Sequence, residues 1–141
     1  MGARRKVREL ALKVLYQKDS FKDGDWKGTF DYLLRMEYID EKGQKFAKEL
    51  IEGTLKNLKL IDSTISRFSR HWRMSRISII DRNILRLACY EMIFRDDIPN
   101  AVSIDEAIEL SKKYSTDESK LFINGVLDGI CKSLKAKREK D

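Results

Sequence analysis

Residues 116–134 read TDESKLFINGVLDGICKSL, and the placing of their apolar members decides the fold class. Phe122, Ile123, Val126, Leu127, Ile130, Cys131 and Leu134 recur at three- and four-residue steps. That is the period of an α-helix and not of a strand. At about 100° per residue they cover half of the helix surface, so the helix is expected to be central and packed on more than one neighbour. Thr116 and Asp117 stand where a cap belongs. Gly125 and Gly129, four apart, are expected to let another helix come close.

The same period extends towards the amino terminus. Val7, Leu10, Ala11, Val14 and Leu15 form one stripe, and Trp26, Phe30, Leu33 and Leu34 another. A third helix is predicted from about Glu41 to Leu58, with Phe46, Ala47, Leu50, Ile51 and Leu55 inward, and a fourth carries Ile61, Ile65 and Phe68. A polar connector, 69–76, contains Trp72. The fifth helix, about 78–95, opens with Ser78 and Asp81 at capping-box spacing. Its core face is Ile80, Ile84, Leu85, Ala88, Cys89 and Met92. Pro99 lies in the one clear break, 96–102, after which Ser103 is expected to cap a sixth helix. The prediction is an all-α globule of six or seven helices, one domain over 1–141 with a basic tail at about 132–141.

Composition agrees. The chain is 42% hydrophobic, enough for a core, and 37% charged against a usual ~25%. One proline and seven scattered glycines argue against a sandwich or barrel, which need frequent turns. No apolar run approaches the ~18 residues of a membrane span, so a cytoplasmic protein is expected. The net charge of +6 is uneven: +4 lies in residues 1–20 and +3 in 132–141, leaving −1 between them. That asymmetry suggests a polyanion touched by the termini, nucleic acid before an acidic membrane. The plainer alternative is a pair of solubilising ends.

Chemistry is sparse. His71 is the single histidine, too few for a zinc site. Cys89 and Cys131 fall on apolar faces and read as core residues. Asp105, Glu106 and Glu109 read as a solvated helix face, and no glycine-rich phosphate loop is present. No catalytic residue, metal or cofactor is expected. On a helical wheel Arg5, Arg8 and Tyr16 lie opposite Val7 and Val14. Arginines beside an exposed ring suit single-stranded RNA, neutralising phosphates while the ring stacks on an unpaired base. Tyr16 reads equally well as a cap on the core edge. A second run, Arg67, Arg70, Arg73, Arg76, Arg82 and Arg86, contains Asp81 as its only acid. Arg86, next to core positions, is expected to pair with Glu91 or its neighbours. Phe122, beside Lys120 and near Glu118, is open between core and base stacking. A DNA-binding helix-turn-helix over 103–131 is disfavoured by the wide apolar arc of the last helix, since a recognition helix needs an exposed polar face.

Several strings in order carry a resemblance. They are Arg4-Arg5-Lys6-Val7-Arg8 with Ala11, Leu15, Tyr16 and Gln17; Leu50-Ile51-Glu52-Gly53 with Asn57, Ile61 and Asp62; Trp72 and Arg76; Ile80 to Ala88 with Tyr90-Glu91; Ile98-Pro99; Ile104 to Leu110 with Lys113-Tyr114; and Phe122-Ile123-Asn124-Gly125-Val126-Leu127-Asp128. Together they resemble the bacterial transcription antitermination factor NusB family from Arg4 to Ile130, with little likeness over 19–44. The resemblance implies a seven-helix bundle in two subdomains and no catalytic activity. It implies binding of single-stranded boxA RNA in ribosomal RNA operon leaders, together with NusE, a small-subunit ribosomal protein. RNA polymerase and other Nus factors are the implied further partners, and a homodimer is a possible state. By matching positions, it assigns RNA contacts to Arg4, Arg5, Lys6, Arg8, Tyr16, Asp81, Glu118, Lys120 and Phe122. Asp81 and Glu118 are acids, so their part is to accept hydrogen bonds from base amino groups.

Overall fold

The computed structural model describes residues 3–22, 24–70 and 73–140, with side chains to residue 137. His71 and Trp72 lie outside the described residues. Seven α-helices follow one another: α1 (Ala3–Phe21), α2 (Trp26–Met36), α3 (Glu41–Lys56), α4 (Leu58–Phe68), α5 (Ile79–Phe94), α6 (Asn100–Tyr114) and α7 (Asp117–Lys140). A single 3-10 turn, Met74–Arg76, precedes α5, and there is no strand among the described residues.

Local chemistry starts most of these helices where it should. The Ser78 hydroxyl accepts from the Asp81 amide at 3.2 Å, and the Thr116 hydroxyl from the Ser119 amide at 3.2 Å. Asp40 accepts from the Gly43 amide at 2.8 Å. Each satisfies one of the amides left free in a first turn. Ser103 corrects the reading above. The sixth helix already begins at Asn100 after Pro99, and Ser103 is buried inside it. Its hydroxyl donates to Glu91 at 2.8 Å instead of capping an end.

The centre is α5, not α7. α5 packs against α1, α3, α4, α6 and α7, whereas α7 packs against α4, α5 and α6. Ile84, Leu85, Leu87, Ala88, Cys89 and Met92 of α5 are buried, and so are its Asn83, Arg86 and Glu91. The apolar face predicted for this helix is too narrow, because it leaves out Leu87 and the buried polar and charged positions. Here those charges are buried and paired, which offsets their desolvation. Arg86 donates to both oxygens of Asp62 on α4, at 2.7 and 2.8 Å, and to Asp19 on α1 at 2.9 Å. Its partners are therefore Asp19 and Asp62, and not Glu91. α1 packs on α2, α3 and α5, completing the amino-terminal side of the bundle.

Two glycines mark close helix approaches. A Cβ on Gly53 of α3 would lie 2.2 Å from the Tyr90 ring of α5, and one on Gly129 of α7 would lie 2.8 Å from the Phe68 ring of α4. Gly129 thus does what its spacing suggests. Gly125 does not: it is exposed, with nothing within 4 Å of its Cβ position.

Candidate nucleic-acid interface

The α6–α7 junction folds over the first turn of α5. Ser115 and Ser119 donate to the two oxygens of Asp81, each at 2.6 Å, and Asp81 is buried beneath them. A carboxylate offers about four acceptor positions. Two are taken, so Asp81 is held in place and still able to accept. Glu118 and Phe122 line the same open cleft of about 270 Å³ as Asp81. Glu118 is exposed, whereas Phe122 is half-buried with one side packed on the core. Three residues assigned by the resemblance, from two distant stretches, thus meet in one place. Lys120 is half-buried and lies outside the cleft lining.

Ser78 also lines a second, larger groove of about 710 Å³ that runs up to Tyr16. Its walls are mostly apolar, with Leu12 and Phe21 of α1, Leu33 of α2, Ile79 and Ile80 of α5, and Tyr114, while Lys13 and Gln17 add polar groups. Tyr16 is 42% exposed and Phe21 70% exposed. The Tyr16 ring neither sinks into the core nor stands free; it forms part of the wall of this groove.

The arginine end of α1 differs from its reading on the wheel. Arg8 is 3% exposed and Glu91 is 1% exposed. Arg8 donates to both oxygens of Glu91, at 2.9 and 2.8 Å, in a two-pronged pair. It is a buried, paired cation, not the exposed arginine that the wheel suggests. The wheel fails because α6 covers that face, bringing Ser103 and Glu106 over it. Arg5 remains half-exposed and pairs with Glu106 at 2.7 Å, and the bond it donates there raises its pKa. Lys6 sits 3.9 Å from Glu37, half in water. Arg4 is exposed, with its guanidinium 4.4 Å from the centre of the Phe46 ring. Arg4 and Tyr16 are twelve residues apart, about 18 Å along the helix axis.

Between these ends the surface is not neutral. Arg5, Lys112 and Lys113 line a shallow depression of about 260 Å³ together with Glu9 and Glu109, and Tyr114, next in sequence, lines the Tyr16 groove. Lys113 and the Tyr114 hydroxyl both donate to Glu9. Burial pushes the Glu9 pKa up, but those two bonds outweigh it and the net direction is down. Burial, and then the bond to Glu9, push the Tyr114 phenol up.

No group of three or more His, Cys, Asp or Glu residues able to hold a metal occurs among the described residues. Cys89 and Cys131 are free and buried, as core residues are. Burial, followed by the charge of Asp62, pushes the Cys89 thiol up to about 12, far from a nucleophile's range. No described helix is long and apolar enough to cross a membrane.

Residues 5–132 match the NusB family model. The chain belongs to the NusB family. The transcription antitermination protein NusB of Syntrophomonas wolfei is 45% identical over 128 residues, covering 91% of this chain and 95% of that protein. The structure of NusB from T. maritima superposes with a TM-score of 0.85 at 43% identity, covering 92% and 90% of the two chains. A structure of the antitermination factors NusB and NusE in complex with double-stranded RNA matches with a TM-score of 0.84 at 28% identity, covering 94% and 98%. The architecture of the described residues, seven helices and no strand, is thus the NusB fold.

Three further residues shape this NusB cleft. Ser115 and Ser119 orient Asp81, and nothing in their spacing announces a partner 34 and 38 positions away. Arg76, one of the arginine run and of the strings that carry the resemblance but not among the assigned RNA contacts, lines the Asp81 cleft. Its signal was present: it sits in the polar connector just before the Ser78 cap, outside any helix that would have claimed it.

Proposed function

We propose that this protein is a transcription antitermination factor that binds single-stranded boxA RNA of ribosomal RNA operon leaders together with NusE. It acts in the cytoplasm on nascent transcripts and joins RNA polymerase and other Nus factors there. It is not an enzyme. The observation that carries the RNA reading is the meeting of Asp81, Glu118 and Phe122 in one cleft that shares Ser78 with the Tyr16 groove. An aromatic face beside carboxylates suits an unpaired base, which offers its ring for stacking and its amino hydrogens for acceptance. A base inside a duplex offers neither freely. Phosphates have Arg4, Arg5 and Lys6 at the exposed end of α1. Lys120, near the start of α7, is a further contact in this reading, and Arg8 acts only by bracing α1. Both partners hold one strand, so their contacts combine and NusE is expected to strengthen binding.

The test is RNA titration at matched salt, with and without NusE, using boxA RNA, a scrambled strand and an RNA duplex. The reading requires that boxA be preferred and that NusE tighten it. Equal affinity for boxA with and without NusE contradicts the shared-strand mode. Equal affinity for the scrambled strand or the duplex contradicts base reading.

A further inference from the structure

The cleft formed by Asp81, Glu118 and Phe122 has an electrostatic problem as an RNA site. Two carboxylates line it, and a phosphate strand entering beside them is repelled. One cation stands among the described residues that line it, Arg76. We propose that Arg76 is the phosphate-binding group of this cleft, set in position by the Asp19–Arg82 pair; this rests on the RNA reading above.

Four observations support the assignment. The first is that the Arg76 side chain is exposed and makes no ion pair or side-chain hydrogen bond among the described residues. Arg82 and Arg86, from the same run, are both bound to carboxylates. Arg76 is therefore the member of the three with its donors still to offer.

The second is that its main chain is pinned while its side chain is not. Arg82 donates to the Met74 carbonyl at 3.1 Å from one nitrogen and to Asp19 at 2.8 and 2.7 Å from the other two. Its guanidinium is a bracket between α1 and the 3-10 turn that ends in Arg76. The Arg76 amide donates to the Arg73 carbonyl at 2.8 Å, and the next residue, Ile77, is buried. A planar fork on a fixed base loses less freedom on binding than one on a loose loop.

The third is position. Ser78, two residues on, lines both the Phe122 cleft and the Tyr16 groove. A strand with one base against Phe122 and another against Tyr16 carries its phosphodiester across Ser78. Arg76 stands on the cleft side of that crossing.

The fourth is charge. Asp81 is buried and accepts from two hydroxyls, so an acidic group lines the cleft beneath Glu118 and Phe122. A cation at the rim makes the cleft selective: the base approaches the carboxylates and the phosphate turns to Arg76.

The experiment is a titration of labelled boxA RNA in the presence of NusE over a range of salt, using the full chain. Arg76→Gln is expected to weaken binding about tenfold near 0.1 M salt and to lower the slope of log affinity against log salt by about 0.7. Arg76→Lys keeps the slope but loses a few-fold in affinity, because a point charge replaces the fork. Lys59→Gln removes the same charge from the exposed side of α4 and leaves both quantities unchanged. Asp19→Asn tests the bracket with opposite signs. It makes the protein more positive, so general electrostatics strengthens RNA binding, while loss of the bracket weakens it. Unfolding of each variant by denaturant reports the folded fraction used. Wild-type affinity and slope for Arg76→Gln overturn the assignment while the RNA reading stands. An equal loss in Lys59→Gln overturns it too, by showing that only total charge counts. Tighter binding by Asp19→Asn overturns the bracket. Failure of the unaltered protein with NusE to prefer boxA overturns this inference and the RNA reading together.

Discussion

The two arginine runs of this chain read alike in sequence and end in opposite states. In the first, Arg8 is sealed inside against Glu91 and Arg5 is tied to Glu106, leaving Arg4 and Lys6 as the freer cations. In the second, Arg82 and Arg86 are fastened to Asp19 and Asp62, while Arg76 stays open at a cleft. Neither run is a patch of uniform positive charge. The difference teaches that an arginine's availability is set by the acids that tertiary contacts deliver. Asp19, Asp62 and Glu91 arrive from α1, α4 and α5 to consume guanidinium groups that charge counting treats as free.

The largest effect should come from breaking the sealed pair. Arg8→Ala leaves Glu91 buried with only Ser103 as a donor, and is expected to cost about 3–5 kcal/mol in denaturant unfolding. Replacing Arg8 and Glu91 together by methionine should restore most of that loss. If Arg8→Ala instead keeps full stability and loses only RNA affinity, the wheel was right and the burial described above is wrong.

Next come the rings at the open end. Phe122→Ala and Tyr16→Ala are each expected to weaken boxA binding by about 1–3 kcal/mol with little change in salt slope, since stacking releases no counterions. Phe122 is only half-buried, so its removal should destabilise by less than the ~3–5 kcal/mol of a fully buried phenylalanine. A stability loss of that full size, with unchanged affinity of the folded fraction, would make Phe122 a core residue.

A pH experiment separates the ionic joints from the rest. Burial pushes the Asp19 pKa up, but the bonds from Arg82 and Asn83 and the charge of Arg86 outweigh it, and the net direction is down; Glu9 shifts the same way. A carboxylate depressed on folding stabilises above its unfolded pKa of about 4 and loses that contribution as pH falls through the folded value. The urea midpoint should therefore drop as pH is lowered from about 5 to about 3. Asp19→Asn should start lower and fall less steeply. An unchanged acid slope in that variant would mean that Asp19 is not held as described.

The smallest effect is expected at Arg5. Its pair with Glu106 is half in water, so Arg5→Ala should change stability by no more than about 1 kcal/mol. Its RNA salt slope should still fall by about 0.7 if the guanidinium turns to a phosphate. A large stability loss on thermal unfolding would place Arg5 with Arg8 among the sealed cations.

Much of the bundle was legible because local rules dominate it. The spacing of Val7, Leu10, Ala11, Val14 and Leu15 gave α1, and Ser78 and Thr116 sit where their hydroxyls accept from the Asp81 and Ser119 amides and start helices. Phe122 and Glu118 were legible as site residues only through the resemblance, since spacing left the ring undecided. Ser103 misled because a serine before an apolar run carries the same letters whether it caps an amide or serves Glu91. The α5 reading named the wrong partner for a related reason: Arg86, expected to meet Glu91, pairs with Asp62 and Asp19 from α4 and α1, while Glu91 takes Arg8 from α1.

Sequence by itself determined the all-α class, the caps at Ser78 and Thr116 and the apolar stripes, all of which depend on residues within about one or two helical turns. Only the tertiary structure decided which helix is central, which arginines are spent and which remain, and that Asp81, Glu118, Phe122 and Arg76 share one cleft. The physical reason is range. Helix formation is read from neighbours along the chain, whereas desolvating a charge is affordable only when an opposite charge from a distant segment is brought against it.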